Sequence, residues 1–523
     1  MRHFLERLGG LIPSLVALTL PATSIPIASD SYILPRASIV IAGACLGLGI
    51  AALLTDRPSL GALRWPLLGA AVAALLAFAF SVSWPLSIIG SYTRYESMPM
   101  RLAYLGLAAS TVWLLRTTRQ RDLVGAAFVV GTTFVAFKAW LQWFNHVPFR
   151  PDGDVGNANL LAALIVMAIP IAIDRGRRAD YFTFLWGIAI VVLIAGLVVT
   201  TSRSGALGLV AGCAVWLTMS VPRRSVAAVG AVSGAALLGA LAFVLLSPLR
   251  SLNDDPPDLR LNLWKDALRL IASRPVTGWG EDSTGLVFGR FLSHDYAGLV
   301  TFDRVHSGPL EIAATQGVLG LAALGWVLVV IGIGAWRGRA EPNVPGLAGA
   351  LVGYSVWVLF NFDWAPATGA FWLLAGSLWS GVTPPHGSGE VAPAGAGGAW
   401  WRAGVASALV AVAVVLAVFP VLADIWYLKG RADLAVQVDP LQAQYHWSLG
   451  QGLVAKHDVR GGIAELRRAA DLGETEPSMY VELGDRHAQV GELDAARRAY
   501  QRALQIDPFY TPARQRLRAL VAI

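Results

Sequence analysis

The chain has 523 residues, of which 55% are hydrophobic and only 14% charged, with 19 Trp and a mean hydropathy of +0.56. That balance excludes a soluble globular protein of this length and calls for a polytopic membrane protein. The net charge of +7 does not point to nucleic acid, because most basic residues stand in short loops between apolar runs, where they orient helices.

A spanning helix needs about 20 predominantly apolar residues. Scanning for such runs predicts about thirteen, near 10–28, 34–54, 66–83, 100–115, 123–144, 159–174, 181–200, 205–221, 226–247, 308–335, 345–361, 366–382 and 403–424. The first follows Arg2 and Arg7 and resembles a signal peptide, but the many spans behind it favour an uncleaved anchor. Cys45 and Cys213 lie far apart inside apolar runs and suggest neither a disulfide nor a thiolate metal site. With the N-terminus inside, the basic loops TDRPSLGALR, RTTRQR, DRGRR, VPRR and WRGR all fall in the cytoplasm, as the positive-inside rule requires. The segments 84–99, 145–158, 248–306 and 361–365 then lie outside. The arginines on that side, Arg94, Arg101, Arg150, Arg203, Arg260 and Arg304, are not explained by orientation, and function is to be sought among them.

Arg203, in VVTTSRSGALGLV, sits where two apolar spans meet with almost no loop. A guanidinium held at that depth is costly, and its planar fork of donors matches phosphate oxygens; taken alone it reads equally as an arginine snorkelling to the headgroups. The segment 248–306 is too long for a simple turn. Its stretch DLRLNLWKDALRLIASRP carries a helical stripe of Leu259, Leu263, Ala267 and Leu270 that ends at Pro275, and GWGEDSTG follows. The acidic run NDDPPD (253–258) reads as a solvated turn rather than a metal site, because of its prolines. In RVHSGPLEIAATQGVLG, the residues His306, Leu310, Ala313, Gly317 and Gly320 recur at spacings of four and three, which predicts one helix face with a seam of small residues. His306 then stands at the outer end of that face, readable as a general base or as a boundary histidine bonded to a loop. No P-loop or dinucleotide fingerprint occurs, and nothing calls for a metal or a cofactor.

The run HGSGEVAPAGAGG, within 384–400, reads as a flexible linker. From about 430 the composition becomes charged and Ala-rich. Tyr480, Leu483, Gly484, Gly491, Ala496, Tyr500, Ala503 and Pro508 follow tetratricopeptide spacing, and Leu449, Gly450, Leu453, Leu466 and Ala469 repeat it 34 residues earlier. The expected architecture is all-α: a transmembrane helical bundle over 1–425, then a soluble α-solenoid of tetratricopeptide type over 430–523. The solenoid reads as a docking surface for a protein partner or as a cap on the last membrane helix.

His306-Ser307, nine residues, then Gly317-Val318-Leu319-Gly320 resembles the histidine motif of the O-antigen ligase family, bacterial enzymes that move a glycan from a polyprenyl diphosphate to an acceptor. GSYTRYES (90–97), GNANLLA (156–162), TSRSGALGL (201–209), Arg260 to Trp264 with RPVTGWG, and NFDW (361–364) look like the same family and keep its order. The resemblance implies an inner-membrane glycosyltransferase of GT-C type with its site on the extracytoplasmic side. Carried over by position, Arg203 and Arg260 would hold the donor diphosphate and His306 would be the base, while Arg94 and Asn157 match motifs of less defined role. The implied donor is a polyprenyl-diphosphate glycan. The acceptor is open between lipid A-core (a ligase), a growing glycan (a polymerase) and a protein Ser or Thr (an oligosaccharyltransferase). Outside this class, the same features suit a transporter of lipid-linked glycan or a membrane-anchored scaffold.

Overall fold

A computed structural model of the protein describes residues 2–54, 58–178, 183–246, 257–296, 302–383 and 399–521. The expected linker at 386–398 and residues 253–256 of the acidic run lie outside the described residues. The described chain is all-α, without a strand.

The helices in order are α1 (Arg2–Ala22), α2 (Ile33–Leu53), α3 (Arg64–Ala79), the short α4 (Trp84–Ile89), α5 (Met98–Leu114), α6 (Thr118–Phe144), α7 (Ala158–Arg178), α8 (Thr183–Thr200), α9 (Arg203–Ser220) and α10 (Val226–Leu246). Then come α11 (Pro257–Ser273), the single turn α12 (Thr284–Val287), α13 (Gly308–Arg337), α14 (Val344–Val358), α15 (Ala365–Val382), and α16 (Ala399–Ala413), which runs through a π turn into α17 (Phe419–Leu428). Among the described residues nine helices are long and apolar enough to cross a membrane. The other four expected spans are α5, α9, α14 and α15, which are 15 to 18 residues long. They are shorter or less apolar than the nine, and they carry small residues that let helices approach.

Local sequence sets the helix starts. Ser97 caps α5 by accepting from the Met100 N–H, Thr117 and Gln120 form a capping box on α6, and Ser202 caps α9 by accepting from Gly205. α5, α13, α14 and α15 each carry proline in the first turn, where no N–H is needed. α7, buried from Ala158 almost without a break to Ala172, is the central post. α9 and α14 cross beside it on paired glycines: a Cβ on Gly208 would lie 2.6 Å from the Gly353 carbonyl oxygen, and one on Gly212 would lie 2.6 Å from that of Gly349. Such small-residue pairs at a spacing of four let backbones touch, and this contact brings the start of α9 to the end of α14.

One expectation is overturned. His306 does not share a helix face with Gly317 and Gly320, because it precedes α13 with φ of 55°, and α13 itself breaks at Gly317, whose φ is 67°. The freed backbone groups are taken up by the segment 275–280: Val318 N–H donates to Pro275 O (2.7 Å), and Trp279 and Gly280 N–H donate to Ala314 O and Thr315 O (both 2.9 Å). A membrane helix tolerates such a break only where protein re-satisfies it. Gly317 is required there because φ is left-handed and a Cβ would run into the Val276–Thr277 backbone.

After α17 come α18 (Ala432–Val438), a hairpin of α19 (Ala443–Ala455) and α20 (Val459–Asp471), a second of α21 (Pro477–Gln489) and α22 (Leu493–Ile506), and α23 (Thr511–Val521). The left-handed turn residues His457 and Gly491, and the tight pairs Gly450 with Leu466 and Gly484 with Tyr500, recur 34 residues apart (491 − 457; 484 − 450). These hairpins do not stand free. Leu286, Val287 and Phe288 are buried in one apolar core with Tyr480, Ile506 and Tyr510, and Gly289 packs on the backbone of Ile506. A second clasp centres on Asp424, which accepts from Asp30 N–H (2.7 Å), Tyr92 OH (2.7 Å) and Tyr445 OH (3.2 Å).

Candidate functional site

The loops before α5, α7, α9, α13 and α15 gather at one end of the bundle, the end that also carries the C-terminal hairpins. There a cleft of about 230 Å³ is lined by Arg94, Asn157, Asn159, Leu160, Arg260, His306, Trp357, Asn361, Phe362 and Trp364. Four residues singled out in the sequence, from loops far apart in the chain, thus meet in one place. The starts of α7, α11, α13 and α15 adjoin the cleft, and the positive ends of their dipoles favour an anion there.

Each residue has its own setting. The His306 ring is half-buried, edge-on to Phe302 (6.1 Å between centroids) and Phe362 (5.3 Å). Arg94 donates through Nε (2.5 Å) and Nη2 (3.2 Å) to the Asp303 carboxylate and lies over the Phe362 and Trp364 rings at 5.0 and 4.7 Å. Burial pushes the Asp303 carboxyl up, but the guanidiniums of Arg94 and Arg304 outweigh it and hold it below its ordinary range. Arg260, in the first turn of α11, donates to Phe360 O at 2.5 Å, while Trp264 lies beside the Phe360 ring. Asn157 is exposed, and its Oδ1 accepts from the Asn159 N–H (2.8 Å) at the start of α7.

Arg203 is not among the lining residues. It is the first residue of α9, and the serines on either side of it reach lining residues: Ser202 Oγ donates to Asn159 Oδ1 (2.9 Å), and Asn361 Nδ2 donates to Ser204 Oγ (3.0 Å). Gly317 lies away from the cleft, and Gly320 lines a different, apolar cavity of about 330 Å³ between α3, α5, α13, α14 and α15. That cavity backs onto the cleft. Gly308 and Pro309 follow His306, and Val358, Leu359 and Asp363 flank Asn361 and Phe362.

Three of the six outer arginines, among which function was to be sought, serve structural roles. Arg101 and Arg304 are buried ion-pair partners. Arg101 donates to Glu281 (3.1 Å) and Asp363 (2.6 Å), while Arg304 pairs with Asp282 and with Glu311 (3.1 Å). Arg150 donates to the carbonyl oxygen of Thr200 (2.7 Å) at the end of α8. Around them Glu96 accepts from Tyr104 OH (2.7 Å), and Gln316 Nε2 donates to Glu281 (2.6 Å). Counting Arg94 and Asp303, three guanidiniums here face six carboxyls: Glu96, Glu281, Asp282, Asp303, Glu311 and Asp363. Burial pushes Glu96 up to about 7 against the pull of Arg101, and burial also raises Glu281 above its ordinary range.

The sequence reading passed over these acids, and also Asn159, Trp357 and Asn361. A signal was present: Glu96, Glu281–Asp282, Glu311 and Asp363 each stand inside or beside a motif already quoted, as lone acids next to apolar runs. Ion pairing between distant loops is what makes them tolerable there, and a one-dimensional scan carries no such pairing.

Residues 188–325 match the family model described as O-antigen ligase. The matched stretch includes Arg203, Arg260, His306, Gly317 and Gly320. No curated protein matches the chain. The family match supports glycosyl transfer of the ligase or polymerase type.

Proposed function

We propose that this cleft transfers a glycan from a polyprenyl diphosphate to an acceptor hydroxyl, on the extracytoplasmic side of a bacterial inner membrane. The observation that carries the proposal is that the two cavities are lined by neighbouring residues, Trp357 beside Val358 and Phe362 beside Asp363. A polar cleft fringed by arginines and helix starts backs onto an apolar one, a fit for an amphiphile with an anionic head. Arg260 and Arg203 neutralise the diphosphate, and Arg94, two of whose nitrogens are committed to Asp303, orients the aromatic wall.

His306 takes the proton from the acceptor hydroxyl as its oxygen forms a bond to the anomeric carbon. The bond from that carbon to the phosphate oxygen breaks with inversion, and the diphosphate leaves with the electron pair. A diphosphate leaves readily, so positioning and charge neutralisation by fixed groups meet the main needs of the reaction without a metal. In purified protein, His306→Ala is expected to lower transfer from a polyprenyl-diphosphate glycan by about 10²- to 10⁴-fold. Undiminished transfer removes His306 from the role of base. Offering lipid, glycan and protein acceptors together and identifying the product by mass separates ligase, polymerase and oligosaccharyltransferase. The 34-residue recurrence of the C-terminal hairpins supports the tetratricopeptide reading, and with it a protein-facing surface near the acceptor's route.

A further inference from the structure

Two asparagine side chains in the cleft have their amide orientation dictated by partners that can act in one sense only. Asn159 Oδ1 faces Arg150 Nη2 (3.3 Å) and Ser202 Oγ (2.9 Å). A guanidinium only donates, so the atom facing it must be the oxygen. Asn361 faces the Trp357 carbonyl oxygen (2.9 Å) and Ser204 Oγ (3.0 Å). A carbonyl only accepts, so the atom there must be the nitrogen. Ser202 and Ser204 hydroxyls, 3.3 Å apart, close the chain. Its sense is fixed along its whole length: Asn361 N–H to Ser204, Ser204 O–H to Ser202, Ser202 O–H to Asn159 oxygen. With the oxygen of Asn159 occupied twice and both N–H groups of Asn361 used, the edges left for the cleft are the Asn159 –NH2, a donor, and the Asn361 carbonyl, an acceptor.

A hydroxyl rotates to donate or accept and does not need fixed polarity opposite it. An amide does, because its oxygen only accepts and its N–H only donates. We propose that Asn159 and Asn361 form a recognition pair for an acetamido substituent on the sugar next to the diphosphate, so that the cleft selects a 2-acetamido sugar over its 2-hydroxy counterpart. The pair rests on the donor reading above.

The test is binding of three probes to the purified full-length protein: a polyprenyl diphosphate alone, the same lipid carrying N-acetylglucosamine, and the same lipid carrying glucose. The wild type is expected to hold the acetamido form about tenfold more tightly than the glucose form, as one well-placed polar contact permits. Asn159→Asp keeps an oxygen toward Arg150 and Ser202 but turns the cleft-facing edge into an acceptor, so the ratio should fall to about one. Using a ratio cancels the effect of the added charge on the diphosphate. Asn159→Ala, which removes the cleft-facing donor without adding charge, should likewise bring the ratio to about one and serves if Asn159→Asp fails to assemble. Equal binding of the two sugars by the wild type, or an undiminished preference in Asn159→Asp, overturns the pair while leaving the donor reading intact. Failure of all three lipids to bind overturns the donor reading and the pair with it.

Discussion

At the scale of single residues, the outer arginines divide into those proposed to meet a ligand and those that hold the protein together through buried ion pairs. Arg101 is the clearest case of the second kind: it sits within reach of Glu281, Asp363 and Glu96, all buried. Removing one partner of a buried cluster leaves uncompensated charge, which costs about 3–5 kcal/mol. Arg101→Met is therefore expected to lower the thermal midpoint of the purified protein sharply, together with activity, whereas Arg203→Lys should reduce transfer with the midpoint unmoved, because it keeps the charge and loses the planar fork. Equal effects of the two on the melting curve would contradict this division. The sequence made the arginines visible as a group, but their partners come from loops up to 262 positions away, and only the folded chain sorts them.

At the scale of elements, the apolar runs were legible. Each of the thirteen expected spans contains a helix, nine of them long and apolar enough to cross a membrane, and α5, α6, α9, α13, α14 and α15 start on a proline or cap signal, because burial imposes a period that composition carries. What the sequence hid was the break in α13. A four-and-three spacing through His306 and Gly317 looks like one helix face, and it fails because the segment 275–280 donates to and accepts from that stretch of backbone. A Cβ at Gly317 would meet both a left-handed φ and the Val276 backbone. Gly317→Ala is expected to cost at least about 1–3 kcal/mol, read as a lower melting midpoint, and to unseat the 275–280 segment, read as faster proteolysis within 274–283. Unchanged proteolysis would mean that the segment does not depend on that contact. The glycine crossing of α9 with α14 fails differently, through volume alone, since Gly208 and Gly212 are ordinary helical residues.

At the scale of the whole molecule, the C-terminal hairpins are joined to the end of the bundle that carries the cleft rather than hung beside it. Glu474 lies at this junction, beside Gly473, which packs against Ser83 and Leu86. Burial pushes its carboxyl up to about 7, against the N–H groups of Glu476 and Thr475 that favour its charged form. A folded value above the ordinary 4.5 means the folded state binds the proton more tightly. The stability it contributes is complete below about 4.5 and is lost as pH rises through about 7. The melting midpoint should fall between pH 5 and 7 for this reason, and Glu474→Gln should flatten that part of the profile. A slope identical in the variant would assign the pH dependence elsewhere.

The shared core of Phe288 with Ile506 and Tyr510 also has a consequence for how the protein is made. The segment bearing Arg260 and His306 leaves the ribosome some two hundred residues before the hairpins that complete its packing. At about 5–20 residues per second, that is a wait on the order of ten seconds or more. The segment around Phe288 therefore packs last, once the final hairpin has docked, and a nascent chain leaves its apolar face uncovered until then.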